Sequence, residues 1–132
     1  MDNFFLIIGF LGIGIGSYLK YEHSFNIPSK ITPKIANHLI DCGAKVLDVR
    51  TKSEPGYVSR KDENGELKQI SKKIPGKELS EQSLKEKGFK KDDIIITYCN
   101  SGTRARKASE NLSNMGYKNV YYIVETYLSL QK

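Results

Sequence analysis

Cys99 is followed at once by Asn100-Ser101-Gly102-Thr103-Arg104, a short polar stretch that ends in a fixed positive charge. A cysteine is a nucleophile only as its thiolate, so its chemistry depends on what around it favours the charged form. Before it, Ile94-Ile95-Ile96-Thr97-Tyr98 is a β-branched run without Gly or Pro and reads as a buried strand. After it, Ala105, Ala108, Leu112 and Met115 recur at three- and four-residue spacing and Gly116 supplies a stop, which reads as a helix. Cys99 therefore lies where a strand gives way to a helix, facing the first free N–H groups and the positive end of the helix dipole. Such a place stabilises a thiolate and also holds an anion. Arg104 can add a guanidinium to the same pocket. The alternative is an ordinary small apolar residue closing a core strand.

The remaining elements must carry that loop. The chain has 132 residues and a net charge of +6, enough for one domain once an N-terminal segment is set aside. Lysines alternate with acids, as in Lys85-Glu86-Lys87 and Lys61-Asp62-Glu63, which reads as solvated faces and not as a nucleic-acid stripe. Two cysteines, Cys42 and Cys99, make no disulfide framework, and neither has a second ligand at metal spacing, so no metal site and no cofactor are expected.

Residues 4–19 carry no charge and read as a membrane segment. As a helix they would span about 24 Å against a hydrocarbon core of about 30 Å, a tight fit that Asn3, Tyr18 and Tyr21 could finish at the interfaces. A cleaved signal peptide is the rival reading, but Asp2 stands where a basic n-region belongs, and no small-x-small cleavage site precedes Lys20. The expectation is a transmembrane anchor over residues 1–20, a polar linker over 21–31 and a folded domain over 32–132. Lys20, Lys30 and Lys34 then place that domain in the cytoplasm by the positive-inside rule, where Cys99 stays reduced. Gly12 and Gly16 form a small-xxx-small face that two anchors could share.

Thr32-Pro33 reads as a helix start, with Ile35, Ala36, Leu39 and Ile40 as the buried face and Gly43 as the stop. Cys42, near that helix end, reads as packing. Lys45 to Arg50 reads as a short central strand of a parallel sheet whose C-terminal end carries Asp48 and Arg50. Ligands bind at that edge of open α/β sheets. A buried Asp48 would cost several kcal/mol without partners, so a cation or hydrogen-bond donors should face it. Residues 79–88 read as a helix with Ser80 as its cap and Leu84 inward.

In this order, Val46-Leu47-Asp48-Val49-Arg50-Thr51, Ile74-Pro75-Gly76, the cysteine loop Thr97 to Ala105, and Gly116-Tyr117-Lys118-Asn119-Val120-Tyr121 resemble the signatures of a single-domain rhodanese, a sulfurtransferase. The resemblance runs from about Thr32 to Tyr122. It implies a doubly wound α/β domain with a central parallel sheet, here preceded by one transmembrane helix, and a persulfide carried on the active-site cysteine. By the same resemblance Cys99 is the nucleophile, and the N–H groups from Asn100, Ser101, Gly102, Thr103 and Arg104 cradle the persulfide and the leaving anion. Asp48 is structural, and Arg50 borders the substrate mouth. The partners implied are a small anionic donor such as thiosulfate and a thiol or cyanide-like acceptor, which can be a protein.

Two other function classes are weighed against it. Cysteine phosphatases and arsenate reductases of related shape use Cys-x5-Arg loops, usually with a histidine before the cysteine; this chain has Cys-x4-Arg and Tyr98. A membrane-tethered adaptor with weak or no activity is the other. It draws on three departures from the family pattern. Residues 57–73 look like an inserted hairpin or loop with a turn at Asp62-Glu63-Asn64-Gly65. Lys73 stands where a histidine is common and Lys77 where a small residue is common. The tail lacks the usual Gly-Gly turn and tryptophan, so Tyr127, Leu128 and Leu130 are expected to form a stub helix that covers the sheet edge poorly.

Overall fold

The structure, a computed structural model, describes residues 29–131. The expected anchor over residues 4–19 and most of the expected linker lie outside them. Seven strands are present among the described residues: β1 (Ser29–Lys30), β2 (Lys45–Asp48), β3 (Ser59–Lys61), β4 (Leu67–Gln69), β5 (Ser71–Lys73), β6 (Ile94–Tyr98) and β7 (Asn119–Tyr122). Five of them make one parallel sheet in the order β1-β7-β6-β2-β5. The central position of β6 follows from its composition, since Ile95, Ile96, Thr97 and Tyr98 have both faces covered.

Side chains alternate across that sheet. Leu47, Ile95 and Val120 pack on one face with α2 (Glu81–Glu86) and α3 (Thr103–Asn114), through Leu84, Ala105, Ala108 and Leu112. Val46, Ile96 and Tyr98 pack on the other with α1 (Pro33–Asp41), through Ala36 and Ile40, and with Leu130 of the tail. Helices on both faces of a parallel sheet make the doubly wound α/β arrangement.

Local signals account for the helix ends. Thr32 Oγ1 accepts from Ile35 N at 3.2 Å, with Pro33 in the first turn. Ser80 and Ser83 cap α2 reciprocally, each side chain accepting from the other's backbone N–H at 2.9 and 3.0 Å. Two readings of α1 are corrected. Ile35, expected in the buried face, is exposed, because the inward stripe runs through Ala36 and Ile40. Cys42 is exposed and not a packing residue; its Sγ lies 3.9 Å from His38 Nε2.

The extra segment divides in two. β3 and β4 form an antiparallel hairpin whose turn is held by Asp62 Oδ1, which accepts from Asn64 N at 2.8 Å and Glu66 N at 3.0 Å. The segment then supplies β5, the edge strand beside β2. The strand read as Lys45 to Arg50 ends at Asp48, where its carboxylate turns back onto Arg50 N at 2.9 Å. Ser29 and Lys30, at the end of the stretch read as linker, pair with Tyr121 and Tyr122.

The tail covers its face better than its sequence promised. Tyr127–Leu130 is a 3₁₀ turn with Leu130 fully buried and Leu128 outward. Asn37 Nδ2 donates to Ser129 O at 3.1 Å, and Gln131 Nε2 to Tyr57 O at 2.8 Å, so side chains on α1 and backbone before β3 fix a short segment that its own propensity would not.

Candidate active site

Strand β6 delivers Cys99 to the C-terminal edge of the sheet, and Gly102 starts α3 three residues later. Gly102 adopts φ +92°, and a Cβ there would lie 2.6 Å from Val124 Cγ1 and 2.8 Å from Val124 Cα. Only glycine fits that left-handed position against that neighbour. The turn points backbone donors inward: Cys99 Sγ accepts from Gly102 N at 3.1 Å and Ala105 N at 3.4 Å. Thr97 Oγ1 donates to Ala105 O at 2.9 Å and locks the strand to the first turn of the helix.

Cys99 is 0 % exposed, and burial by itself pushes its thiol up. The N–H groups of Ser101, Ala105, Gly102 and Arg104 together outweigh it, and the net displacement is downward. Backbone donors that favour the thiolate in this way do the work of a neighbouring base.

Both ends of the loop converge on Glu54. Arg104 donates to its two carboxylate oxygens at 2.7 and 3.1 Å, and Asn100 Nδ2 donates to Oε2 at 2.6 Å. Thr51 adds its N–H at 2.9 Å and its hydroxyl at 3.0 Å. The Arg104 guanidinium, with Thr51 second, holds the Glu54 carboxyl well below the usual carboxylate range. Glu54 in turn raises the pKa of Arg104.

Beneath this pair lies a second one. Arg50 Nε and Nη2 meet Asp48 Oδ1 and Oδ2 at 3.0 and 2.9 Å, a bidentate pair fully inside the domain. The remaining donors of Arg50 reach Pro55 O at 3.0 Å and Gly56 O at 2.9 Å, and its guanidinium lies over the rings of Tyr98 and Tyr127 at 5.5 and 5.0 Å. Lys73 Nζ donates to Thr51 O at 2.9 Å and Glu54 O at 2.6 Å and stands 3.7 Å from Asp48 Oδ2. Residues 51–56 are thus pinned from below by Arg50 and Lys73, and from that platform Glu54 grips the cysteine loop.

The rhodanese-like domain family matches residues 32–131. The chain belongs to that family. No curated protein matches it. Among solved structures it is similar to EanB in complex with hercynine, at 18% identity and a TM-score of 0.58 over 76% of this chain and 25% of that one. It is likewise similar to an EanB variant bearing a cysteine persulfide, in a tetrahedral intermediate state with ergothioneine, at 21% identity and a TM-score of 0.56 over 73% of this chain and 24% of that one. The chain spans about a quarter of the length of these structures.

Within this rhodanese-like domain the structure brings together Cys99, Asn100, Ser101, Gly102, Thr103 and Arg104, as the sequence motif places them. Two of the expected positions differ in detail. Arg50 is not at a substrate mouth; it is 2 % exposed and its guanidinium is occupied by Asp48, Pro55 and Gly56. Arg104 borders the loop with its guanidinium paired chiefly to Glu54 and close enough to Cys99 to feel its charge, while backbone N–H groups of Gly102 and Ala105 donate to the sulfur. Asp48 takes the structural place expected of it. Glu54 is the residue that sequence reading missed. Its signal is Thr51-x-x-Glu54, a spacing at which a carboxylate reaches back to a free N–H and hydroxyl. Among the described residues no group of three His, Cys, Asp or Glu side chains could hold a metal ion, and no helix is long and apolar enough to cross a membrane.

Proposed function

We propose that this rhodanese-like domain is a sulfurtransferase that moves sulfane sulfur from an anionic donor such as thiosulfate to a thiophilic acceptor through a persulfide on Cys99. The observation that carries the reading is the ring of backbone N–H groups around Cys99 Sγ at the start of α3, which lowers the thiol's pKa against its own burial. The thiolate attacks the outer sulfur of thiosulfate; a new S–S bond forms on Cys99, the donor's S–S bond breaks, and sulfite leaves with the electron pair. Cyanide or an acceptor thiolate then takes the outer sulfur and returns Cys99 as thiolate. Sulfite needs no proton to leave, so the site works without a general acid. The same N–H groups oppose the repulsion between two anions and stabilise the charge that builds on the attacked sulfur. A covalent carrier between two half-reactions gives ping-pong kinetics.

A phosphatase reading has less support, because the Arg104 guanidinium that would grip a phosphoryl group is spent on Glu54. The composition of residues 4–19 supports a single membrane anchor with the domain on the cytoplasmic side, and that arrangement is part of the proposal.

Intact-mass measurement of the full chain after thiosulfate, and again after cyanide, tests the reaction. The expected result is gain of one sulfur atom, its loss on adding cyanide, and neither change in Cys99→Ser. Folded, reduced protein that takes no sulfur from thiosulfate or from an organic persulfide would overturn the reading and leave the adaptor in its place.

A further inference from the structure

The fixed charges that hold the cysteine loop to its platform cancel. Arg50 pairs with Asp48 at 2.9 Å, Lys73 stands 3.7 Å from the same carboxylate, and Arg104 pairs with Glu54 at 2.7 Å. Three cations thus face two carboxylates, and the Cys99 thiolate, whose charge Arg104 feels, is the third anion. Lys77 and Lys107 add positive charge to a groove beside Arg104, but its walls include neither Cys99 nor residues 100–103. Of the three cations only Arg104 belongs to the loop, and its counter-charge comes from outside the loop, on Glu54. The same carboxylate reaches the residue next to the thiol, accepting from Asn100 Nδ2 at 2.6 Å. Contacts from Arg104, Asn100 and Thr51 keep Glu54 in place, and it stays ionised because its carboxyl is held well below the usual carboxylate range. An anion approaching Cys99 is therefore drawn by the oriented N–H groups, with the pull of the Arg104 guanidinium offset by Glu54. That offset weighs on a donor in proportion to its charge, twice as heavily on a dianion as on a monoanion.

We propose that Glu54 is a specificity-determining residue of this site, which by answering Arg104 makes the loop admit singly charged sulfur donors more readily than doubly charged ones. The choice between donors rests on the sulfurtransferase reading; the effect of Glu54 on any anion that reaches the thiolate does not.

The test uses the full chain with Cys42→Ser, which leaves Cys99 as its one thiol. Iodoacetate and iodoacetamide alkylate a thiolate by the same step, forming a bond from Sγ to carbon and releasing iodide, and differ by one negative charge. Their rate ratio cancels any change in thiolate fraction or access that both reagents share. Glu54→Gln should raise the ratio in favour of iodoacetate by about threefold, the scale of one charge–charge interaction at surface distances in water. Thiosulfate and methanethiosulfonate likewise offer the same outer sulfur at charges of minus two and minus one. The ratio of their kcat/KM values for loading Cys99 should move by about threefold toward thiosulfate in Glu54→Gln, and both shifts should vanish in about 1 M salt, where screening acts within about 3 Å. Glu54→Asp, which keeps the charge, should keep both ratios. Ratios that do not move in Glu54→Gln, or that move as far in Glu54→Asp, would overturn the role of Glu54 and leave the sulfurtransferase standing. A shifted alkylation ratio in protein that neither donor loads would uphold the role of Glu54 and place the failure in the transfer.

Discussion

Asp48→Ala tests whether the active-site platform rests on the buried ion pair. Asp48 is 1 % exposed and Arg50 2 %, so the charges cannot be rescued by solvent where they stand. The substitution removes both acceptors of the bidentate contact, at 3.0 and 2.9 Å, and leaves Arg50 with only Pro55 O and Gly56 O. Lys73, 3.7 Å from the lost carboxylate, becomes a second cation without its counter-charge. Breaking a buried pair from one side costs about 3–5 kcal/mol. In a domain of this size each kcal/mol moves Tm by about 4–8 °C, so a fall of more than about 12 °C is expected. Urea unfolding followed by far-UV circular dichroism measures the free energy directly. Asp48→Leu/Arg50→Met should recover only part of the loss, because the Pro55 and Gly56 carbonyls then lack a donor, at about 1–3 kcal/mol each if they stay buried. A cost below about 1 kcal/mol for Asp48→Ala would mean that residues 51–56 are held by something else.

Gly102→Ala should destabilise the domain by at least about 1–2 kcal/mol from the left-handed backbone alone, with the approach to Val124 adding to it, and should slow sulfur loading of Cys99 in the same protein. Glu54→Gln should leave the fold intact but speed hydrogen exchange at the amides of residues 100–104, which lose the anchor shared by Asn100 and Arg104. Because the Glu54 carboxyl is depressed in the folded protein, its hold is complete above the unfolded value of about 4.3 and is lost only as pH falls through the lower folded value. Exchange at those amides in the wild type should therefore stay slow at pH 4. For Cys99 the depressed pKa means that the rate of loading rises with pH through a midpoint below that of an unperturbed thiol measured under the same conditions; a midpoint at or above it would count against thiolate stabilisation by the loop.

The part of the site that was legible in the sequence is the part built from neighbours. A β-branched strand, a glycine and a periodic helix determine the surroundings of Cys99 within about a dozen residues, and the structure follows them closely. Asp48 was legible as a buried acid needing a cation or donors; its closest cation, Arg50, is two residues away, and a second, Lys73, stands across the sheet on β5. Arg50 was placed at the mouth by the family resemblance, which says nothing of where this chain's own residues turn the side chain. Two carbonyls and two aromatic rings, contributed by residues 55–56, 98 and 127, make a buried berth for it that no local pattern announces. Glu54 escaped for the same reason: its partners Asn100 and Arg104 are 46 and 50 residues on. β5 was missed because an edge strand needs only one covered face, and Ser71-Lys72-Lys73 carries little of the apolar pattern that marks an inner strand. The tail is fixed by Asn37 and Tyr57, residues far from it along the chain.

The two-residue strand β1 fixes where the chain enters the domain relative to Cys99. It runs parallel to β7, which runs parallel to β6, so its forward direction points to the edge that bears Cys99 and its starting end to the opposite edge. Lys30 stands level with Tyr122 and therefore with Thr97, two positions before the thiol. The chain thus enters the sheet at its outermost strand, whose hydrogen bonds run to β7 and not to the cysteine loop. The cysteine loop lies at the edge of the sheet opposite that point of entry, with Cys99 itself buried at the strand end.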